Sequence, residues 1–456
     1  DSTGRVIFTR WDHLVQDQQA ESYQGYNVAS EAANAARTAR AEFFPELRFA
    51  ESTSPYGTVS RHQFNVFQPW QMNQDGTAEL TLNHIGRHEM RVPDIRAAFL
   101  DDPNLSSFPN LTFTQNKFSI SNDAGFFGIK EDPATPGTYY MVWAQEFASF
   151  TAGPVIRLNG APNVNTEQMV FTPVTSGAQR FRNVLPLTTG AIVAAHSANG
   201  AVNNTAAFRL RQLVKDAAGN LTAGTALTQG IVKNGATMWE LEPTELVARP
   251  RPAGKIEDGL DAAAKAVLAE EGVTEAELSS WLRTNNLALI VTNDQTKRDR
   301  ADTQQPQNLE VPGGVKTAAN NGKVYPITHF QIIEGNQVRG YDAFNGALPG
   351  RRVIGQPAGQ NKNPVNAGGP AGSVKISPDG STAAFVPANR ALAWQTTDAG
   401  GVPIVRERVW VTMQPGEART CAGCHGSNTK TQEGLDNPVN KPEALRALLR
   451  YWKVNK

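Results

Sequence analysis

Cysteine is almost missing from this sequence: 456 residues contain two. A disulfide framework is therefore excluded, and what remains is one bridge, one redox pair or one cofactor attachment. Long apolar runs are missing as well. No stretch of 18 or more apolar residues exists, so no membrane-spanning helix is expected. Neither sign of charge is in excess, since Lys+Arg and Asp+Glu each total 43. Without a basic excess nothing argues for nucleic acid, and without an acidic run nothing argues for a solvating tail. The opening "DSTGRVIFTRW" has no initiator Met and no charged segment leading into an apolar one. The expectation is a removed signal peptide or a fragment of a longer chain.

What the sequence does have is turn chemistry. Its 39 Gly and 28 Pro are spread among short apolar runs. Residues 5–11, 138–147, 167–174, 190–197 and 287–293 are such runs, and Asp75-Gly76, Gly219-Asn220 and Asp379-Gly380 are turn signals. The pattern predicts many short antiparallel strands. Residues 67–83 read as one hairpin turning at Asp75-Gly76, and 374–387 as another turning at Asp379-Gly380. Strand–turn–strand units over roughly 300 residues exceed what a sandwich needs and favour a β-propeller, although no fixed-period repeat is present.

Three stretches read as helix. Residues 27–44 are Ala-rich and free of Gly and Pro. Residues 258–286 read as two helices broken at Gly272, with Thr274 and Glu277 as a capping box and Leu278, Trp281 and Leu282 as an apolar stripe. Residues 441–452 carry Pro442 near the first turn and Leu445, Leu448, Leu449 and Trp452 at i, i+3, i+4, i+7. The expected fold class is mainly β. A β-propeller-like domain spans 1–385 with a helical insertion at about 256–286, and a small α-helical domain spans 386–456.

Both cysteines lie in Cys421-Ala422-Gly423-Cys424-His425. C-x-x-C-H is the attachment sequence of c-type haem. Two thioether bonds join the sulfurs to the haem vinyl groups, and the imidazole next in the chain coordinates the iron as proximal ligand. Ala422 and Gly423 are small, which lets the backbone come close to the ring. The competing readings are weaker. A thioredoxin-like pair needs a βαβ setting, which this region lacks. A structural zinc needs a second ligand pair, and no further Cys exists. A plain disulfide has no use for His425. The expected cofactor is one covalent haem c, and residues 386–456 then form a monohaem cytochrome domain. Because haem c is attached outside the cytoplasm, a periplasmic or extracellular location is expected.

The sixth iron ligand decides between electron transfer and chemistry at the metal. The other histidines are His13, His62, His84, His88, His196 and His329, and there are six methionines. His329, in the apolar "YPITHFQII", is the distal candidate, its alternative being a core or edge histidine. Met413 lies eight residues before Cys421, a tight loop for reaching the opposite haem face. His84 and His88 stand four apart, but Gly86 lies between them and no third ligand is evident, so hydrogen-bonding roles are favoured over a metal site. Arg406, Arg408 and Arg419 flank the motif. Each suits a haem propionate, and each equally suits an ion pair with Glu407 or Glu417. Trp394 and Trp410 wall the haem or belong to the core.

These residues carry a resemblance. "VPANRALAWQTTDAGGVPIVRERVWVTMQPGEARTCAGCHGSNTKTQ" (386–432) resembles the C-terminal haem segment of hydrazine synthase alpha subunit-like proteins. The likeness continues through 238–252, 286–314 and 337–354, and through 7–20 with 81–90. It implies a periplasmic or secreted protein with a β-propeller followed by a c-type haem domain. It also implies Cys421 and Cys424 as attachment cysteines and His425 as proximal ligand. In hydrazine synthase the catalytic haem belongs to a separate N-terminal domain, and the C-terminal haem relays electrons. No second C-x-x-C-H exists here, so hydrazine synthesis does not carry over. Only 31 residues follow His425, so a distal ligand is expected from upstream or from a partner chain. The combined expectation is an extracytoplasmic cytochrome passing single electrons to or from a redox partner protein, with the propeller as docking or assembly surface. Two alternatives stand beside it: a haem-containing oxidoreductase with a pocket between propeller and haem domain, and a structural subunit of a multi-subunit or homo-oligomeric cytochrome assembly.

Overall fold

One strand, Leu287–Thr292, organises the part of the molecule that carries the motif. Its sequence LALIVT is buried at every position. A run with no polar alternate has to be covered on both faces, and here it is. Leu287, Leu289 and Val291 enter a core shared with three helices, while Ala288 and Ile290 enter a core built from strands. On one edge the strand pairs antiparallel with Thr382–Pro387, and on the other it pairs parallel with Ala418–Cys421. The computed structural model describes residues 1–13, 65–82, 99, 101–105, 124–145, 151–159, 170–175, 180–198, 207–252, 254, 259–300, 305–341, 350–407, 410–423 and 430–456.

The helices follow from their local signals. α1 (Ala262–Glu270) is capped by Asp261, whose side chain accepts from the Ala264 N–H. α2 (Glu275–Thr284) is capped by Thr274, which accepts from the Glu277 N–H. Such caps contribute about 1 kcal/mol each. Gly272 separates the two helices at φ +67, a left-handed conformation that costs glycine nothing. α3 (Glu443–Asn455) begins after Pro442 and buries Leu445, Leu448, Leu449 and Trp452. That stripe packs against Leu278, Leu282 and Phe385, with the Trp281 and Trp452 rings 5.8 Å apart, edge to face.

Across the seam between α3 and α1, Glu271 accepts from Arg450 and Lys453 at 2.9 Å and pairs with Arg446 at 3.3 Å. Glu270 pairs with Arg446 and Lys441. The bonds from Arg450 and Lys453 hold the Glu271 carboxyl down to about 2. A carboxylate depressed in the fold stabilises fully above its unfolded value and loses that stabilisation as pH falls toward its folded value. Docking of α3 is therefore expected to weaken between about pH 4.5 and pH 2. Tryptophan fluorescence from the Trp281–Trp452 pair, followed in an acid titration of wild type and Glu271→Gln, checks this. A transition centred at the same pH in both would contradict it.

The strand core is centred on His329–Tyr341, which pairs antiparallel with Gly350–Pro357, Ser373–Lys375 and Ala391–Thr397. Two further sheets are four-stranded antiparallel meanders in chain order. The first runs Ala124–Glu131, Thr138–Gln145, Val155–Asn159 and Val170–Pro173. The second runs Arg180–Pro186, Ile192–Ser197, Arg209–Lys215 and Leu221–Ala226. At the start of the chain, Val6–His13 pairs with Asn65–Met72, which pairs with Leu80–Thr81 across the Asp75-Gly76 turn. This N-terminal sheet docks far along the sequence: the Ala78 N–H donates to Glu417 and the Thr412 N–H to Glu79.

Several expectations need revision. The turn at Asp379-Gly380 forms, with the Gly380 N–H on the Ser377 carbonyl. Its flanks do not make a hairpin, because Ser373–Lys375 joins His329–Tyr341 while Thr382–Pro387 joins Leu287–Thr292. The boundary placed at 385/386 cuts the strand Thr382–Pro387. Residues on both sides of it, such as Ala384 and Leu392, share the strand core, and Phe385 shares the helical core with Trp452. The 386–456 segment is woven into the sheets that precede it. The fold is mainly β and the strands form no closed barrel among the described residues. The helix expected at 27–44 lies outside the described residues, as do His62, His84, His88 and Arg408.

Candidate functional site

Cys421 ends the strand Ala418–Cys421, opposite Thr292. Alternation sends Cys421 toward the strand core and Ala418 toward the helical core. Beyond the strand the chain stays tied to the same neighbour. The Asn293 N–H donates to the Cys421 carbonyl at 3.1 Å, and the Asp294 N–H donates to the Ala422 carbonyl at 3.3 Å. A Cβ on Gly423 would come within 2.4 Å of the Lys297 carbonyl oxygen. The glycine inside the C-x-x-C spacing is thus required by this close backbone approach, independent of any ring. Cys424 and His425 lie outside the described residues.

The chain is picked up again at Lys430, against the same stretch. The Arg300 N–H donates to the Lys430 carbonyl at 3.4 Å, and Asp299 bridges Thr431. Gln432 is the latch. Its main-chain N–H donates to the Arg298 carbonyl at 3.0 Å, and its Oε1 accepts from the Arg298 N–H at 2.8 Å. Its Nε2 donates to the Thr296 and Gln307 carbonyls, both at 2.8 Å. Residues 292–300 therefore hold the chain on both sides of Cys424–His425. This scaffold is polar yet buried: Asn293, Gln295, Thr296, Arg298, Asp299 and Gln307 are all nearly inaccessible. A buried polar segment is stable only when its groups find partners. Thr296 and Thr317 hydroxyls 2.9 Å apart and the Gln295 amide on Thr382 are part of that network. Nothing in the periodicity of 292–308 revealed it, since buried polar residues carry no hydrophobic pattern.

Burial pushes the Cys421 thiol up, Arg419 opposes that rise and Glu407 adds to it. The thiol is therefore neutral at neutral pH, and it forms no disulfide among the described residues. Arg419 shares the Cys421 face of the strand, and both of its terminal nitrogens are engaged. One donates to the Glu79 carbonyl and the other to Glu417 Oε1, each at 3.0 Å. The ion pair with Glu417, one of the two roles weighed for Arg419, is formed. Glu417 also accepts from the Ala78 and Gln414 N–H groups, so Arg419 ties the motif strand to the N-terminal sheet. Arg406 is wholly buried, its main chain bonded to Gln305 in both directions.

His329 lies on the other side of its sheet from the core against which Cys421 packs. Phe330 and Ile332 point into the strand core against which Cys421 packs, and alternation turns His329 to the opposite face of the sheet. Its Nδ1 lies 2.8 Å from the Thr328 hydroxyl, and its ladder partners are Thr397 and Lys375. This placement is that of an edge histidine. His196 is likewise remote in role: burial and Arg211 hold it down to about 4, and its ring packs on Phe181. Met413 is fully buried in the strand core, where Trp394 packs as well, and Trp410 is buried with Ile333 and Ala393. Among the described residues no three His, Cys, Asp or Glu side chains form a metal cluster. The donor set that suits haem, two thiols and an imidazole, is spelled by Cys421, Cys424 and His425. The one described member is the Cys421 thiol at a strand end, a group of the kind that thioether attachment uses.

Residues 326–426 match the family described as the hydrazine synthase alpha subunit middle domain. The comparison with curated proteins returns no match. Among solved structures, Kuenenia stuttgartiensis hydrazine synthase is similar at 13% identity and a TM-score of 0.44, over 84% of this chain and 42% of that one. The chain thus spans less than half the length of the chain it resembles. The matched segment begins three residues before His329 and runs through the Cys421–His425 motif. Over this segment the chain is similar to hydrazine synthase alpha subunit proteins.

Proposed function

We propose that this chain is an extracytoplasmic c-type cytochrome that carries one covalent haem and passes single electrons to or from a partner protein. The observation that carries the reading is the double anchorage of the motif. Residues 292–300 hold Cys421–Gly423 on one side and Lys430–Gln432 on the other. Cys421, Cys424 and His425 would hold the group, which supplies a one-electron couple when bound. The chain's own residues do the rest. Gln432 fixes the return of the loop, Gly423 lets the backbone seat on Lys297, and Arg419 places a fixed positive charge beside Cys421. The two four-stranded meanders resemble propeller blades in topology, which supports a propeller-like region as docking or assembly surface for other subunits or cytochromes.

The visible spectrum of the reduced protein, with and without carbon monoxide, tests the electron-transfer role. A low-spin spectrum indifferent to carbon monoxide is expected. A high-spin haem that binds carbon monoxide would favour the oxidoreductase reading instead. His329→Ala is expected to leave the spin state unchanged, because its side chain faces away from Cys421's core. A low-spin to high-spin change in that variant would place His329 on the iron after all.

A further inference from the structure

A cavity of about 370 Å³ lies between α2 and the outer edge of the motif strand Ala418–Cys421. Leu260, Glu275, Ala276, Ser279, Arg283 and Ala418 are among its walls. The strand supplies one donor. Its inner edge is taken by Leu287–Thr292, with the Leu289 N–H on the Glu417 carbonyl at 2.8 Å. Alternate residues of a paired strand turn their main-chain groups away from the partner, so the Ala418 and Thr420 N–H groups face the outer edge. The Thr420 N–H donates to the Gly259 carbonyl at 2.7 Å, while the Ala418 N–H finds no acceptor among the described residues. Such an unpaired strand N–H is open to an acceptor from outside the chain.

Helix α2 supplies the second donor. Ser279 and Arg283 stand one turn apart on one face, and the Ser279 hydroxyl donates to the Gly416 carbonyl at 2.9 Å. A Cβ on Gly416 would lie 2.5 Å from Arg283 Cγ, 2.8 Å from Arg283 Nε and 2.9 Å from Ser279 Oγ. The Arg283 side chain therefore lies across Gly416, two residues from Ala418. Its guanidinium pairs with no carboxylate among the described residues. Glu275, the other charged side chain of the lining, pairs with Lys265 at 3.6 Å.

We propose that this cavity binds a small monocarboxylate, its oxygens on the Arg283 guanidinium and the Ala418 N–H. A guanidinium fork matches a carboxylate in geometry, and one cation balances one negative charge. A phosphate dianion would bring a second negative charge into a lining that already holds Glu275. A neutral amide has no charge to offer Arg283. The volume is at the small end of ligand sites, which suits a carboxylate with a short aliphatic body beside Ala276 and Leu260. The site is independent of any group held at Cys421.

Isothermal titration of the full purified chain with butyrate, butyramide and inorganic phosphate tests the proposal. Saturable one-site binding of butyrate is expected, at least tenfold tighter than that of either other probe. Arg283→Gln, at an exposed position, is expected to weaken butyrate at least tenfold without altering the melting temperature. Ala276→Trp, also at an exposed position, places a ring in the cavity and is expected to abolish binding. Equal affinity for butyramide or phosphate, undiminished butyrate binding in either folded variant, or no saturable heat at all would each overturn the proposal.

Discussion

Gln432→Leu is expected to cost about 3 kcal/mol or more of stability. The shape of the side chain is nearly kept, but three buried main-chain groups lose their partners: the Arg298 N–H and the carbonyls of Thr296 and Gln307. Each unsatisfied buried group costs roughly 1–3 kcal/mol, far more than the net gain of an ordinary hydrogen bond. Leucine offers nothing in exchange, and Gln432 is itself almost fully buried, so water cannot readily substitute. Chemical denaturation of wild type and variant gives the difference. With the proposed haem attached, the same variant is expected to broaden its absorption band, because the returning end of the motif loop loses its anchor. A variant within about 1 kcal/mol of wild type would show that the latch is redundant.

Arg419→Met comes next in size. Glu417 is 5% exposed and keeps two main-chain N–H donors, but it loses its cationic partner. Removing one member of a buried ion pair costs on the order of 3 kcal/mol, because the other charge is left uncompensated. The Glu79 carbonyl loses its guanidinium donor as well. Both losses fall at the contact between the N-terminal sheet and the motif strand. Faster amide exchange at Thr77–Thr81 is therefore expected, measured by hydrogen–deuterium exchange. Unchanged exchange there, together with a changed reduction potential, would instead make Arg419 a partner of the haem propionates.

The helices of 258–286 and 441–452 were legible because their signals are local. Thr274 with Glu277, Gly272, and the Leu445–Trp452 stripe each name a start, a stop or a face, and each is found in place. The Asp75-Gly76 hairpin was legible for the same reason. The Asp379-Gly380 turn was legible too, but not the destinations of its two strands. Pairing partners are chosen by tertiary burial, and Thr382–Pro387 is drawn to Leu287–Thr292 by two cores at once. That same double burial erased the expected boundary at 385/386. In the motif, residue type is what suggested the chemistry proposed for Cys421, Cys424 and His425. The scaffold of 292–300 and Gln432 stayed hidden, because its worth lies in main-chain bonds that any polar sequence can claim. The apolar strand context of His329 did not show which face of the sheet it takes.

The account rests on a porphyrin held by sulfur–carbon bonds at Cys421 and Cys424. Extraction of the purified protein with acidified acetone, followed by a pyridine haemochrome spectrum of the pellet, tests that link most directly. The account predicts that the pigment stays with the polypeptide and gives the spectrum of a haem whose vinyl groups are both saturated. A colourless protein, or pigment that passes wholly into the solvent, would contradict it.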